Sequence, residues 1–359
     1  MYKKYRKLLS KEGPFLFVIL LLVMIAGFAT NHPTLAMWFG FLVAGYSAIS
    51  NDSVQTLGTF LSSNKKVPWY YLWAFIGGIL VITILYGWYS HSGDVSYGRL
   101  NKIPQPLDFN FFQLLAPITL LMLTRLKMPV STTFLILATF SSSKTISGMV
   151  MKTFTGYFLS FFVAGIVWSV VAYLIRKKKT HIEEPPSVKK ERLWRTFQWC
   201  STAFLWSVWL MQDNANAVVF LPRALTFLEA LSAALLLFFG IGYILYRRGG
   251  KIQEIITEKT DVIRVKSATL IDLIYGFILV YFKWINDLPM STTWVFLGLL
   301  AGREIALTRL SGHKQPYQRT LSLVMKDLLR AGIGLGVSFI LALLASGRIN
   351  ETFTQLFGG

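Results

Sequence analysis

Cysteine occurs once, as Cys200, and histidine four times in 359 residues. A single thiol excludes an intramolecular disulfide, and His32, His91, His181 and His313 all fall between apolar runs, so no Cys/His metal site can be read. Charge is also scarce: Asp, Glu, Lys and Arg make up 15% of the chain, against 54% hydrophobic residues and a mean hydropathy of +0.52. A soluble domain needs more polar surface than this to face water. Carboxylates are the scarcer sign, 17 against 36 basic residues. No clustered nucleophile and base stands out, and no Gly-rich stretch follows a strand, so an enzyme or a nucleotide loop fits poorly.

What the chain has is long apolar sequence. Near-continuous runs cover about 35–50, 69–90, 109–124, 148–175, 197–211, 224–246, 267–285 and 319–345. Most carry the roughly 20 residues needed to cross a bilayer. A span must satisfy its own backbone polar groups, which makes helices the default; a β-barrel would need short alternating segments instead. The net charge of +19 is not a nucleic-acid footprint, because most Lys and Arg residues sit in 1–13, 61–68, 176–195, 247–266 and 302–319, and the alternate segments hold few. That is positive-inside patterning, which places those segments in the cytoplasm. Trp69, Tyr70 and Trp73 at one end of a run, and Tyr86, Trp88 and Tyr89 at the other, read as interface anchors. Residues 1–34 form an extra N-terminal helix. It has the layout of a secretory signal, but another span follows at once, which favours a retained helix.

Two halves share one plan. Asp52 lies in SNDSVQTLG and Asp213 in MQDNANAVV, and each is followed at nearly the same separation by a Pro-x-Ser-Thr-Thr motif, at Ser131 and Ser291. MVMK at 149–152 and LVMK at 323–326 extend the match. Between the halves, RKKKTHIEEPPSVKKER is charged and contains Pro-Pro, as a solvated linker does. The expected organisation is repeat 1 at 35–175, a basic cytoplasmic linker at 176–195 and repeat 2 at 196–359. The charge distribution gives the halves opposite senses, a transporter signature. The fold class is therefore an all-α integral membrane protein of two inverted-topology repeats, each with transmembrane helices and a re-entrant helical hairpin. The hairpins turn at Met128-Pro129-Val130 and Leu288-Pro289-Met290.

Pro129 and Pro289 end one arm and suit the start of the next, whose leading amides lack intrahelical partners. Ser131, Thr132 and Thr133, with Ser291, Thr292 and Thr293, can cap those amides or join them in holding an anion. Two such tips facing each other near the midplane would pool partial positive charge. An Asp in hydrocarbon costs about 2.5 to 3.5 kcal/mol on insertion scales, so Asp52 and Asp213 read as a cation or proton site. Asn51 and Gln55 flank the first and Gln212 and Asn216 the second, a carboxylate with two amides in each half and the ligand set of a hard cation. Arg125, Lys127 and Lys283 precede the turns and stand as anion-attracting candidates. Asp272 and Glu229 are charges in or near spans with no assigned role. Gly77 and Gly78, and the series Gly332, Gly334 and Gly336, are expected to allow close helix packing.

In these motifs the chain resembles the inorganic phosphate transporter (PiT) family, whose inverted halves each carry Asn-Asp-x-x-Asn and a Pro-Val-Ser-Thr-Thr hairpin. The match runs from about 41 to 302. Gln55 stands where the family has Asn, Gln212 replaces the first Asn of the second motif, and Phe134 and Trp294 occupy the place of a His that usually follows Ser-Thr-Thr. The resemblance implies that Ser131, Thr132, Thr133, Ser291, Thr292 and Thr293 line the anion. It implies that Asn51, Asp52, Gln55, Gln212, Asp213 and Asn216 bind sodium or carry protons beside it.

The expected function is a secondary-active symporter that imports inorganic phosphate with sodium or protons by alternating access. The alternatives are a permease for sulfate or another oxyanion, and a non-transporting anion sensor on the same fold. No cofactor is expected beyond sodium as a coupling ion. Expected partners are phosphate or sulfate, sodium or protons and the lipid of a plasma (cell inner) membrane, with a homodimer compatible and nucleic acid not.

Overall fold

A computed structural model describes residues 2–126, 128–178, 188–247, 265–310 and 317–347. The regular secondary structure among the described residues is all helical, with no strand among them. In chain order the elements are α1 (Tyr2–Ala29), α2 (Pro33–Ser63), α3 (Trp69–Ser90) and α4 (Phe111–Arg125). A short π-helical turn, Thr133–Leu137, and a 3-10 turn, Ala138–Phe140, precede α5 (Ser143–Lys178). Then follow α6 (Val188–Asp213), α7 (Ala215–Val218), α8 (Phe227–Tyr246), α9 (Val265–Ile285), α10 (Thr292–Leu310) and α11 (Tyr317–Ala345). Among the described residues, seven helices are long and apolar enough to cross a membrane, and the chain is a multi-pass membrane protein.

Local chemistry sets the helix starts. Asn110 accepts from the Gln113 amide at 3.0 Å and the Gln113 side chain accepts from the Asn110 amide at 3.0 Å, a capping box. Thr226 and Glu229 repeat it on α8, so Glu229 serves helix initiation. α1 docks on α4 through Glu12, which accepts from Arg125 at 2.9 and 3.0 Å, while the guanidinium lies over the Phe15 ring.

Packing pairs the elements in a matched way. α2 lies on α4 and α6 on α9; α3 and α8 pack on each other; α10 lies along α5, and the 133–140 turns lie along α11. The two second arms differ in length. After Pro289 the chain runs into the 19-residue α10, but after Pro129 it makes only the two short turns before breaking at Ser141. A π turn at such a position is rare and inserts an extra residue per turn, which re-aims the side chains around it.

Close helix approach depends on small residues. A Cβ on Gly298 would stand 2.3 Å from the Tyr157 carbonyl oxygen, and one on Gly302 would stand 2.1 Å from that of Phe161. This Gly-x-x-x-Gly face is what lets α10 lie against the α5 backbone. On the α3/α8 crossing the Phe238 ring fills the space at Gly77 and the Trp73 ring that at Gly242. Gly334 faces Val130, but Gly78, Gly332 and Gly336 meet nothing within 4 Å. The expectation of close packing is thus corrected for those three: they face away from neighbouring helices. The aromatic ends of α3 divide similarly. Tyr70, Tyr86 and Tyr89 are exposed, whereas the Trp73 and Trp88 indoles turn inward to donate to the Phe238 and Leu225 carbonyls.

Gly302→Val should therefore drive a side chain into the Phe161 carbonyl and destabilise the detergent-solubilised protein by about 1–3 kcal/mol. Gly336→Ala, with open space around it, should stabilise by up to about 1 kcal/mol through helix propensity. Thermal unfolding followed by gel-filtration recovery reads both, and equal effects would refute the packing account.

Candidate functional site

The two Pro-x-Ser-Thr-Thr segments are built alike. In each the described chain has no regular structure from the residue before the Pro to the Ser and turns helical at the first Thr. Ser131 Oγ accepts from the Phe134 amide at 3.2 Å, and Ser291 Oγ accepts from the Trp294 amide at 3.3 Å. Both serines therefore act as N-caps and hold the first turn in place. Phe134 packs edge-on to Phe339 of α11, and Trp294 against Phe154 and Tyr157 of α5. The aromatic rings at these positions anchor each tip to the helix its arm lies along.

The tips meet in the interior. Thr293 Oγ1 donates to the Val130 carbonyl at 3.2 Å, and Thr133 Oγ1 lies 3.2 Å from the Met290 carbonyl. Each tip thus places a hydroxyl on the carbonyl that precedes the other tip's serine. The first threonines serve the acids: Thr132 Oγ1 donates to Asp52 Oδ2 at 2.6 Å, and Thr292 Oγ1 to Asp213 Oδ2. Thr133 Oγ1 also reaches Asp213 Oδ1 at 3.2 Å, one proton shared between two acceptors. Thr132 and Thr133, adjacent in sequence, therefore join the acid of one half to the acid of the other.

Around Asp52, Asn51 Nδ2 donates to Asp52 Oδ1 at 2.8 Å and to the Val130 carbonyl at 2.9 Å, and Asn51 Oδ1 accepts from Thr124 at 3.3 Å. Around Asp213, Asn216 Nδ2 donates to Oδ1 at 3.2 Å. Asn216 Oδ1 and Gln212 Oε1 are buried with no partner among the described residues, while Gln212 Nε2 donates to the Leu279 carbonyl at 2.8 Å. Tyr275 on α9 closes the base of the second tip, its hydroxyl on the Thr292 carbonyl at 3.0 Å. All six serines and threonines are buried to 3% exposure or less, as are Asp52 and Asp213.

The chemistry is mostly that of oxygen. The Asp52 and Asp213 carboxylates, the threonine hydroxyls that donate to them and the Val130 and Met290 carbonyls meet in one buried region, with the Asn216 amide beside Asp213. Such a set suits a hard monovalent or divalent cation. Because the threonine hydroxyl protons point at carboxylates and carbonyls, the anion-binding donors in this arrangement are the leading amides of the two turns and the Ser131 and Ser291 hydroxyls, whose oxygens accept amide protons.

Several candidates lie elsewhere. Arg125 does not face the tips: both its bonds go to Glu12 on α1, so its role as an anion attractor is corrected to helix docking. Lys283 donates to the Tyr97 carbonyl at 3.0 Å and pairs with Asp287 at 3.9 Å, beside the loop that follows α3. Lys127 and the Gln55 side chain lie outside the described residues, although Gln55 falls within α2. Asp272 is fully buried between Thr59 and Thr202, which donate to it at 2.9 and 2.5 Å.

Two basic residues near the second tip escaped the sequence reading. Lys152 on α5 donates to Asn286 Oδ1 and to the Asn286 and Leu288 carbonyls, all at 2.8 Å, and so holds the approach to Pro289. A lysine inside an apolar run was the available signal. Arg99, 1% exposed in the loop after α3, gave no signal at all, since the loop's fold decides its burial.

No protein-family model and no curated protein matches the chain. A solved structure of a sodium-dependent phosphate transporter is similar to it with a TM-score of 0.59 and 15% identity, over 91% of this chain and 99% of that one. At that identity the likeness establishes the fold alone: this chain shares that protein's helical architecture.

Proposed function

We propose that the chain is a secondary-active symporter that takes up an inorganic oxyanion, phosphate first, with sodium or protons, and that it is a divergent member of the inorganic phosphate transporter family. The single observation that carries this reading is the crossed pair of hairpin tips, with Thr132 on Asp52 and Thr292 on Asp213. The matched helix pairs on either side of the tips support two inverted repeats at 35–175 and 196–359 joined by the linker at 176–195. The similar solved structure, a sodium-dependent phosphate transporter, supports the choice of substrate and driving ion. Multi-pass insertion with basic cytoplasmic segments favours the plasma (cell inner) membrane.

The proposed mechanism is electrostatic. Two carboxylates in low dielectric favour a cation between them and their amide neighbours, and a bound cation in turn favours an anion at the leading amides of the tips. Each ligand raises affinity for the other, and the coupling is reciprocal. Because each tip is pinned to the opposite half, displacement of one half against the other must exchange the Thr133 and Thr293 contacts. The two arrangements would then differ in which face the site opens to.

One observation favours sulfate as a second reading. Phosphate at neutral pH retains a proton that an exposed carboxylate can accept, but both oxygens of Asp52 and of Asp213 already receive donors from the protein. A fully accepting anion meets no disadvantage there.

Proteoliposomes with an inward sodium gradient should accumulate radiolabelled phosphate above the level seen without sodium, and unlabelled sulfate competes only if it shares the site. Uptake of sulfate alone would overturn phosphate as the substrate, and uptake of neither would overturn transport. Asp52→Asn and Asp213→Asn should each remove the sodium stimulation. Thr292→Val should raise the apparent sodium constant about 10-fold or more by removing a charge-assisted bond, and Thr292→Ser should restore it. An unchanged sodium constant in Thr292→Val would detach that carboxylate from coupling.

A further inference from the structure

The loop after α3 is an ordered element. Asp94 accepts from the Ser96 and Gly98 amides, each at 2.7 Å, and Tyr97 and Gly98 take positive φ values of 57° and 76°. A left-handed tyrosine is uncommon and needs outside support. It has that support: the Tyr97 hydroxyl donates to the Thr83 carbonyl, and its own carbonyl accepts from Lys283 at 3.0 Å. Asn214, next to Asp213, donates to the Val95 carbonyl at 2.9 Å. The loop is therefore tied both to the residue after the second acid and to α9.

Arg99 ends this turn and points inward. Its Nη1 donates to the Asn286 carbonyl at 3.3 Å, four residues ahead of Met290. Its Nε and Nη2 are buried and have no hydrogen-bond partner among the described residues. Those two N–H groups lie on the same side of the guanidinium and form the parallel fork that matches two oxygens of a carboxylate, sulfate or phosphate. An unpaired buried guanidinium edge is costly, so its acceptor is the question the structure poses. Asp213 is within electrostatic reach, but its oxygens already take donors from Thr292, Thr133 and Asn216. Burial lowers the Arg99 pKa to about 10, with Asp213 and Asp287 opposing, which leaves it cationic at neutral pH. Lys152 lies on the same Asn286 carbonyl at 2.8 Å, so the donors of two buried basic side chains converge there on neutral carbonyl oxygens.

We infer that Arg99 is a substrate-binding residue whose Nε–Nη2 edge takes two oxygens of the transported oxyanion beside the second hairpin tip. The inference rests on the oxyanion-carrier reading and adds a donor to it that neither Pro-x-Ser-Thr-Thr motif contains. It also accounts for how a site whose threonine hydroxyl protons are committed to carboxylates and carbonyls gathers further donors for an anion with two charges. The bland alternative is that Arg99 only offsets the charge of Asp213.

The test uses the full chain, with inorganic phosphate and sodium sulfate as probes. Arg99→Lys keeps the charge and loses the fork; Arg99→Gln loses both. Both variants should raise the KM for the transported anion about 10- to 100-fold, the loss of a charge-assisted bidentate contact, with the sodium-chloride dependence of thermal stability measured without phosphate or sulfate unchanged. Unchanged KM in folded variants overturns the inference and leaves the carrier reading standing. A sodium response altered in sodium chloride, with neither phosphate nor sulfate present, points to the counter-ion role and also overturns it. A wild-type protein that neither binds nor carries either anion fails the carrier reading itself. Should both variants misfold, hydrogen exchange of 94–99 in the wild-type protein decides: protection by phosphate or sulfate supports the contact, and no protection overturns it.

Discussion

The structure turns on a pair of crossed hydrogen bonds in which each tip's last threonine reaches the carbonyl before the other tip's serine. These bonds form in an interior shielded from water, where an unmet carbonyl or hydroxyl is expensive and a met one is held firmly. They set the distance between the tips, and through Thr132 and Thr292 they also set the distance between the acids. Val130 is the hub, its carbonyl shared by Asn51 of α2 and Thr293 of α10. Movement at either acid is felt at both tips because the same four side chains span them.

Support for this cluster comes from the surrounding helices. α10 can approach α5 closely only because Gly298 and Gly302 expose backbone to backbone, and that approach carries Ser291 to Thr153, whose hydroxyl accepts from the Ser291 amide at 3.0 Å. On the other side Gly334 of α11 makes room for Val130. The first tip is followed by only a π turn and a 3-10 turn, so it depends on α11 and the opposite tip more than on its own arm. The asymmetry of the two arms therefore places more of the fixed scaffold behind the second tip. Lys152, Arg99 and the 94–99 turn gather on that side as well.

Legibility followed the range of the interaction. Apolar runs, the linker and the paired motifs are local patterns, so helices and the candidate oxygens could be read along the chain. The roles within the motif could not. All six hydroxyls read alike in sequence, as caps or anion ligands; in space Ser131 and Ser291 cap their turns, while Thr132 and Thr133 serve different acids. Arg125 stands beside a turn in sequence, yet Glu12 takes its charge. Arg99 sits in a stretch with the composition of an ordinary loop; it bonds the residue after α9, and its loop is held through Val95 by the residue after α6.

By itself the sequence determined that this is a helical membrane protein with two matched polar breaks, because hydrophobicity, charge placement and proline act on the nearest few residues. Only the tertiary structure decided that the breaks touch, which hydroxyl meets which carboxylate, and which cations are turned toward them. Those facts depend on pairs about eighty to two hundred residues apart, such as Asn51 with Val130 and Arg99 with Asn286. No local preference encodes such a pairing; it exists once the helices have packed and closed the interior to water.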